Sequence, residues 1–187
     1  CYIKSYFHMN IESFSNCYIV ADENTKSAII IDPGRITKEM INQIEDNGFT
    51  LEAVFITHNH PGHIRGLSTL VKIYDVTVYA AEPTIAGIQS FVINGAGTIN
   101  TAGLKVEYFP MPGHTPDSMV YKIENVLFTG DVIFAGKIGG TNSNYSKMIL
   151  KKGITEKILS LNDDMLIMPG HGPLTSVAAE RSFNMDI

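Results

Sequence analysis

Three of the chain's six histidines crowd into six residues, His58-Asn59-His60-Pro61-Gly62-His63, directly after Leu51 to Thr57, a nearly continuous apolar run with the pattern of a buried strand. Two more, in Pro112-Gly113-His114 and Pro169-Gly170-His171, also follow strand-like runs, and Asp131 closes another such segment, Thr129-Gly130-Asp131. One His in a loop is ordinarily a solvated surface residue. Five of them with a carboxylate, all at strand ends, are hard to explain that way. In layered sheet architectures the strand ends on one edge converge, so residues distant in sequence face one crevice. Neutral imidazoles and a carboxylate form the donor set of a divalent metal, which needs them at about 2.0–2.2 Å on a stiff scaffold. His58, His60, His63, His114, Asp131 and His171 are therefore the candidate metal ligands and catalytic residues, whereas His8, inside a strand-like run, reads as structural.

The rest of the chain alternates strand and helix. Ile3 to Met9, Asn16 to Ala21 and Ser27 to Asp32 predict a β-meander with a turn at Asp22-Glu23-Asn24. Thr37 caps a helix that places Met40, Ile41 and Ile44 on one face and stops at Asn47-Gly48. Val76 to Ala80 reads as a strand, Pro83 to Gln89 as a short helix, and Leu104 to Phe109 as a strand. Met119 to Ile123 and Val126 to Phe128 form a hairpin around Glu124-Asn125. A helix from about Ser146 to Leu161 carries Ile154, Ile158 and Leu161 on one face, and Gly153 costs it about 1 kcal/mol and offers a break. Met165 to Met168 is the last strand. No repeat, linker or low-complexity tract interrupts the pattern, and 187 residues predict one domain, 1–187, of α/β class.

Composition narrows the partners. Fourteen Lys and Arg against nineteen Asp and Glu leave a net charge of −5, which offers no basic field for phosphate backbones or anionic lipid. The longest apolar stretches, such as Ala28 to Ile31 and Ala53 to Ile56, fall far short of the roughly 20 residues of a helical membrane span. Neither nucleic acid nor membrane is an expected partner; a small-molecule substrate is. Cys1 and Cys17 make no disulfide framework and point to a reducing, cytoplasmic compartment. Cys17, within a strand, reads as a buried small hydrophobe, and neither cysteine has a His beside it in a nucleophile motif. A chain starting at Cys1 is expected to have been trimmed or tagged at that end, a lipid-attachment cysteine being the other source. Tyr2 to Met9 lacks the charged and long apolar regions of a signal peptide.

The order and spacing of the candidate residues resemble the metallo-β-lactamase superfamily, whose pattern is Thr-His-X-His-X-Asp-His, then a His, an Asp or Cys, and a final His. The resemblance spans nearly the whole chain and includes Pro112-Gly113-His114-Thr115, Thr129-Gly130-Asp131 and Pro169-Gly170-His171-Gly172-Pro173. Asp131 rather than Cys, Phe134-Ala135-Gly136, Gly172-Pro173-Leu174-Thr175 and Glu180-Arg181 look most like compact glyoxalase II proteins, or hydroxyacylglutathione hydrolases. This resemblance implies a four-layer αββα sandwich: two mixed sheets face each other, helices cover both outer faces, and a metal cleft lies along one edge. It also implies that His58, His60 and His114 bind a first metal, that His63 and His171 bind a second, and that Asp131 bridges them. The implied metal is zinc, one ion or two, with iron or manganese as alternatives. Two segments depart from the pattern. Gly62 stands where the family has Asp, which removes a donor from the second site, and Gly139-Gly140-Thr141-Asn142 replaces a common Gly-Arg-Thr-Asp. The sequence shows no counterpart of the extra helical domain with which longer relatives hold glutathione, so the thiol carrier stays open.

The implied activity is metal-dependent hydrolysis of a small thioester, S-lactoylglutathione or a related acyl-thiol. A metal lowers the pKa of bound water toward ~7, aims it at the carbonyl and stabilises the developing oxyanion. A thiolate leaves with little protonation, so no general acid is demanded. Two alternatives come from other classes. His58, His114 and Asp131 offer a two-His-one-carboxylate face for iron, as in a mononuclear-iron persulfide dioxygenase. The loss of the donor at Gly62 also fits a metal-binding protein with little activity. Lys137 is a candidate contact for an anionic substrate group, and Tyr145 lines the same pocket or packs.

Overall fold

The structure, a computed structural model, describes residues 3–187; Cys1 lies outside them. The chain opens with the expected meander of β1 (Ile3–Asn10), β2 (Ser15–Asp22) and β3 (Ser27–Ile31). Helix α1 (Lys38–Asp46) follows, its first turn capped by the Thr37 hydroxyl accepting from the Met40 amide. Next come β4 (Thr50–Phe55), the short helices α2 (Pro61–Ile64) and α3 (Leu67–Ile73), β5 (Thr77–Ala80), β6 (Thr84–Ile85), β7 (Ile88–Gln89) and β8 (Phe91–Val92). Their main sheet has the order β1-β2-β3-β4-β5-β8, antiparallel across the meander and parallel from β3 onward.

The second half contributes β9 (Gly97–Thr101), β10 (Leu104–Pro110), β11 (Met119–Ile123), β12 (Val126–Gly130), the small hairpin β13 (Ile133–Phe134) and β14 (Lys137–Ile138), helix α4 (Asn144–Lys157), β15 (Leu166–Pro169), β16 (Thr175–Ser176) and helix α5 (Val177–Phe183). Its six-stranded sheet runs β16-β15-β12-β11-β10-β9, with β12 and β15 parallel and the other pairs antiparallel.

The period-2 alternation of strand side chains divides the core into three layers of contact. Tyr18, Val20, Ile29, Phe55, Leu104, Val106, Tyr121 and Phe128 fill the space between the sheets. Cys17, Ile19, Ala28 and Ile30, on the opposite face of the first sheet, meet Met40 and Ile44 of α1 and Leu67 and Leu70 of α3. Val120, Leu127 and Ile167, on the outer face of the second sheet, meet Leu150 and Ile154 of α4 and Val177 of α5. This is the four-layer αββα sandwich. Cys17 is buried as a small hydrophobe.

Two local expectations are corrected. Pro83 to Gln89 is the hairpin β6–β7: Ala86 (φ 50°) and Gly87 (φ 77°) are left-handed and turn the chain back, and Ile85 is buried. Two successive left-handed residues are incompatible with a helix and suit a two-residue hairpin turn. Gly153 does not split α4. A Cβ there would lie 2.5 Å from the Met111 sulfur, so its bare backbone lets Met111 pack against the helix. Among the described residues no helix is long and apolar enough to cross a membrane.

Candidate metal centre

The sheets are tied together where the polar strand ends lie. The Met119 amide donates to the Thr57 carbonyl at 2.8 Å, and the Asn16 amide donates to the Gly170 carbonyl at 2.7 Å. The Tyr121 and Tyr18 hydroxyls donate across to the carbonyls of Ile56 (2.6 Å) and Pro169 (2.7 Å). That edge therefore holds the segments after β4, β10, β12 and β15 in fixed relation. All six nominated side chains meet there in two groups, His58, His60, His114 and Asp131 in one, His63, Asp131 and His171 in the other, each with its ligand atoms within 4.8 Å of one another.

Asp131 stands between the groups. Its Oδ2 is 3.4 Å from His58 Nε2 and 3.3 Å from His114 Nε2, and its Oδ1 is 3.2 Å from His63 Nε2 and 3.4 Å from His171 Nε2. These are ion-pair distances without hydrogen-bond geometry: Nε2 of His58, His63 and His114 and Oδ1 of Asp131 are buried and have no hydrogen-bond partner. Buried polar atoms without partners are rare because each costs free energy. Four that converge on one point are the mark of a cation site.

The outward nitrogens explain why the inward ones are available. Nδ1 of His114 donates to the Gly140 carbonyl (2.7 Å) and Nδ1 of His171 to the Phe14 carbonyl (2.9 Å). Nδ1 of His63 bonds Asp32 Oδ2 (3.0 Å), and Nδ1 of His58 bonds Thr57 Oγ1 (3.0 Å), which itself donates to Asp32 Oδ2 (2.6 Å). An imidazole whose Nδ1 carries the proton presents the Nε2 lone pair inward, and such outer partners fix ring orientation in metal sites. The residues present thus fit one or two divalent ions.

Charge follows from the same geometry. Burial raises the Asp131 carboxyl, but the imidazoles of His114, His171, His58 and His63 outweigh it and hold the group far below the usual carboxylate range. Burial pushes His63 down, yet Asp32 and Asp131 on either side prevail and bring it up to about 10. The carboxylate of Asp131 raises His114 against its burial, while burial, joined by His58 and His114, lowers His60.

Asp32 has no part among the residues nominated from sequence. It is buried, with φ 54°, and also takes the Thr57 amide at 2.8 Å, so one carboxylate orients His58 through Thr57 and His63 directly. Its signal was the one used for Asp131: an acidic residue closing a strand, ahead of Pro33-Gly34. His8 stays outside the centre and pairs with Gln43 at 2.5 Å. Gly170 needs its bare backbone, since a Cβ would lie 2.6 Å from His63 Cε1 and 2.7 Å from Asp131 Oδ1. At Gly62 a Cβ would meet only Ser13 and Ser15, at 3.5–3.6 Å, which is ordinary contact. The fold has room for a side chain at 62.

The family model described as the metallo-beta-lactamase superfamily matches residues 11–88. Hydroxyacylglutathione hydrolase GloC of Haemophilus influenzae is 30% identical over 208 residues, with 94% of this chain and 97% of that protein covered. The chain belongs to the metallo-β-lactamase superfamily. Solved members of similar shape include BLEG-1, a B3 metallo-beta-lactamase (TM-score 0.86, 25% identity, 98% of each chain covered). ETHE1 from Myxococcus xanthus is another (TM-score 0.85, 26% identity, 97% of this chain and 83% of that one). Within this superfamily frame the two groups open onto a cleft of about 490 Å³ whose walls include His114, Asp131, Phe134, Lys137, His171 and Pro173. Tyr145 is exposed at the start of α4 and does not line it.

Proposed function

We propose that this chain is a metal-dependent hydrolase of small acyl-thiols, of the glyoxalase II kind. The observation that carries the reading is the cleft: one histidine of each group, His114 and His171, lines a single small-molecule-sized space together with the shared Asp131, an aromatic ring and one Lys. The similarity to GloC along nearly the full length of both chains supports the thioester as the bond attacked. His58, His60, His114 and Asp131 would hold a first divalent ion, zinc in the simplest case, and His63, His171 and Asp131 a second. A bound ion supplies an activated water nucleophile and charge stabilisation for the oxyanion. The chain's own residues do the rest. Asp131 is the one carboxylate shared by the two groups, placed to neutralise the cationic charge of both. Phe134 and Ala135 give the acyl-thiol an apolar wall. Lys137, its Nζ 5.8 Å from the Phe134 ring centre, meets an anionic end of the substrate. The net charge of −5 and a cleft of this size suit a small molecule and not a nucleic acid.

The test follows loss of the thioester bond in a lactoyl-thiol substrate. The expected result is turnover that chelation abolishes and that His58→Ala lowers by two or more factors of ten, each worth about 1.4 kcal/mol. A second reading is a mononuclear-iron persulfide dioxygenase, favoured by the way Asp131 Oδ2 faces both His58 and His114 at 3.3–3.4 Å. Iron-loaded protein that consumes oxygen with a persulfide, and leaves the thioester intact, would replace the first reading with this one.

A further inference from the structure

The Glu180-Arg181 pair has no place in the chemistry above, yet Glu180 is a buried carboxylate, 4% exposed, on α5. Its Oε1 accepts from the Gly136 amide at 2.7 Å and from Asn184 Nδ2 at 2.9 Å, and its Oε2 accepts from the Thr175 hydroxyl at 2.6 Å. Among the described residues no cation pairs with it. Burying a carboxylate is costly unless hydrogen bonds compensate, and here three donors do so. Helix capping does not account for it, because the Ser176 hydroxyl already accepts from the Ala179 amide.

The donors show what it does. Gly136 is the left-handed turn residue (φ 87°) of the hairpin that carries Phe134 and Lys137 into the cleft. That hairpin has only two residue pairs, Ile133↔Ile138 and Phe134↔Lys137. A ribbon so short is marginal by itself, so what fixes its position lies outside it. Thr175 lies in β16, two residues beyond Pro173 of the His171–Pro173 segment that forms another part of the cleft lining.

We propose that Glu180 is a positioning residue for the substrate cleft: its two oxygens bolt the Phe134–Lys137 wall to the Pro173 wall and so set the distance across which a substrate is gripped. The C-terminal residues reinforce the hairpin side, with the Ile138 amide donating to Asp186 Oδ2 at 3.0 Å and the Met185 amide to the Gly136 carbonyl at 3.0 Å. The link to substrate rests on the hydrolase reading; the link between the walls does not.

The experiment compares Glu180→Ala, Glu180→Gln and Thr175→Val with the native protein by backbone amide exchange, metal content, and KM and kcat on a lactoyl-thiol thioester. Glu180→Ala is expected to speed exchange across 133–138 by about tenfold or more while strands of the main sheets change little. It should raise KM by about tenfold with kcat and metal content within threefold, the pattern of lost substrate positioning. Glu180→Gln should stay within threefold of native KM, because its amide oxygen can keep Gly136 and Asn184 and its NH2 can donate to the Thr175 hydroxyl. Thr175→Val, which cuts one wall only, covers the case in which the Ala variant fails to fold, and it should raise KM while leaving exchange at 133–138 near native. Unchanged exchange at 133–138 in a folded Ala variant overturns the proposal whatever the enzyme hydrolyses. So does raised exchange with an unchanged KM. A native protein that turns over no thioester sinks the hydrolase reading alone, and the exchange data then decide the bracing.

Discussion

The two histidine groups share Asp131 and differ in almost everything else. His58, His60 and His114 stand in two loops that follow strands, and the Asn59 amide donating to Asp117 ties the loop of the first two to the loop of the third. His63 and His171 come from a four-residue helix and from the segment after β15, and the His171 side chain is 35% exposed at the rim. The first group has three imidazoles for its ion and the second two, to which Gly62 adds no further donor. Yet both groups have outer nitrogens fixed by the fold, those of His58 and His114 by Thr57 and Gly140 and those of His63 and His171 by Asp32 and Phe14. The contrast separates scaffold from ligand count. The fold keeps the second group in place without a side chain at 62, so that position is a matter of ion affinity and not of folding.

The largest expected effect comes from removing what the groups share. Asp131→Ala should empty both, leaving metal content near background and turnover at least as low as in His58→Ala, a loss of about 10³ or more. Metal analysis of the purified variant checks this, and an ion retained at either group would show that the carboxylate is not common to both. A smaller effect should distinguish the groups. In metal-limited native protein the three-His group should fill first, as read from anomalous scattering at the metal edge. Gly62→Asp, which the local space admits, should tighten the second group by about 10- to 100-fold, the range that ligand and supporting groups command. Two equally occupied ions in limited metal would collapse the distinction.

The sequence showed the first group and the second for one reason: His and Asp at strand ends need no long-range information to be recognised as unusual. The alternation of strands and helices was legible on the same local grounds, whereas the four-layer arrangement followed from the family resemblance. What escaped notice depends on contacts between distant segments. Ala86 would be a good helix former in isolation, and only the left-handed turn with Gly87 makes Pro83 to Gln89 a hairpin. Glu180 stood out by resemblance, but its work is visible only when Gly136, 44 residues away, is seen against it. Asp32 fits the strand-end rule as well, but a single acidic residue before Pro-Gly is equally the signature of an ordinary turn.

The smallest effect, and the sharpest separation of the groups, is in pH. In protein stripped by a chelator, His63 holds its proton up to about 10 because Asp32 and Asp131 flank it. An ion entering the second group must displace that proton, so apparent affinity there should rise about tenfold per pH unit through the neutral range. The first group holds one raised imidazole, His114, beside the lowered His60, and its affinity should level off at a lower pH. The stripped protein runs the other way. A His raised above its unfolded value of about 6.5 stabilises the fold fully below that pH, and the contribution is lost as pH climbs toward 10. Metal-free melting should therefore fall on the alkaline side while metal affinity at the second group improves. Calorimetric titrations of the stripped protein at several pH values, with the first and second binding events resolved, measure the pH slope of each group. Equal slopes for the two events would mean that the carboxylates flanking His63 do not set the second group apart.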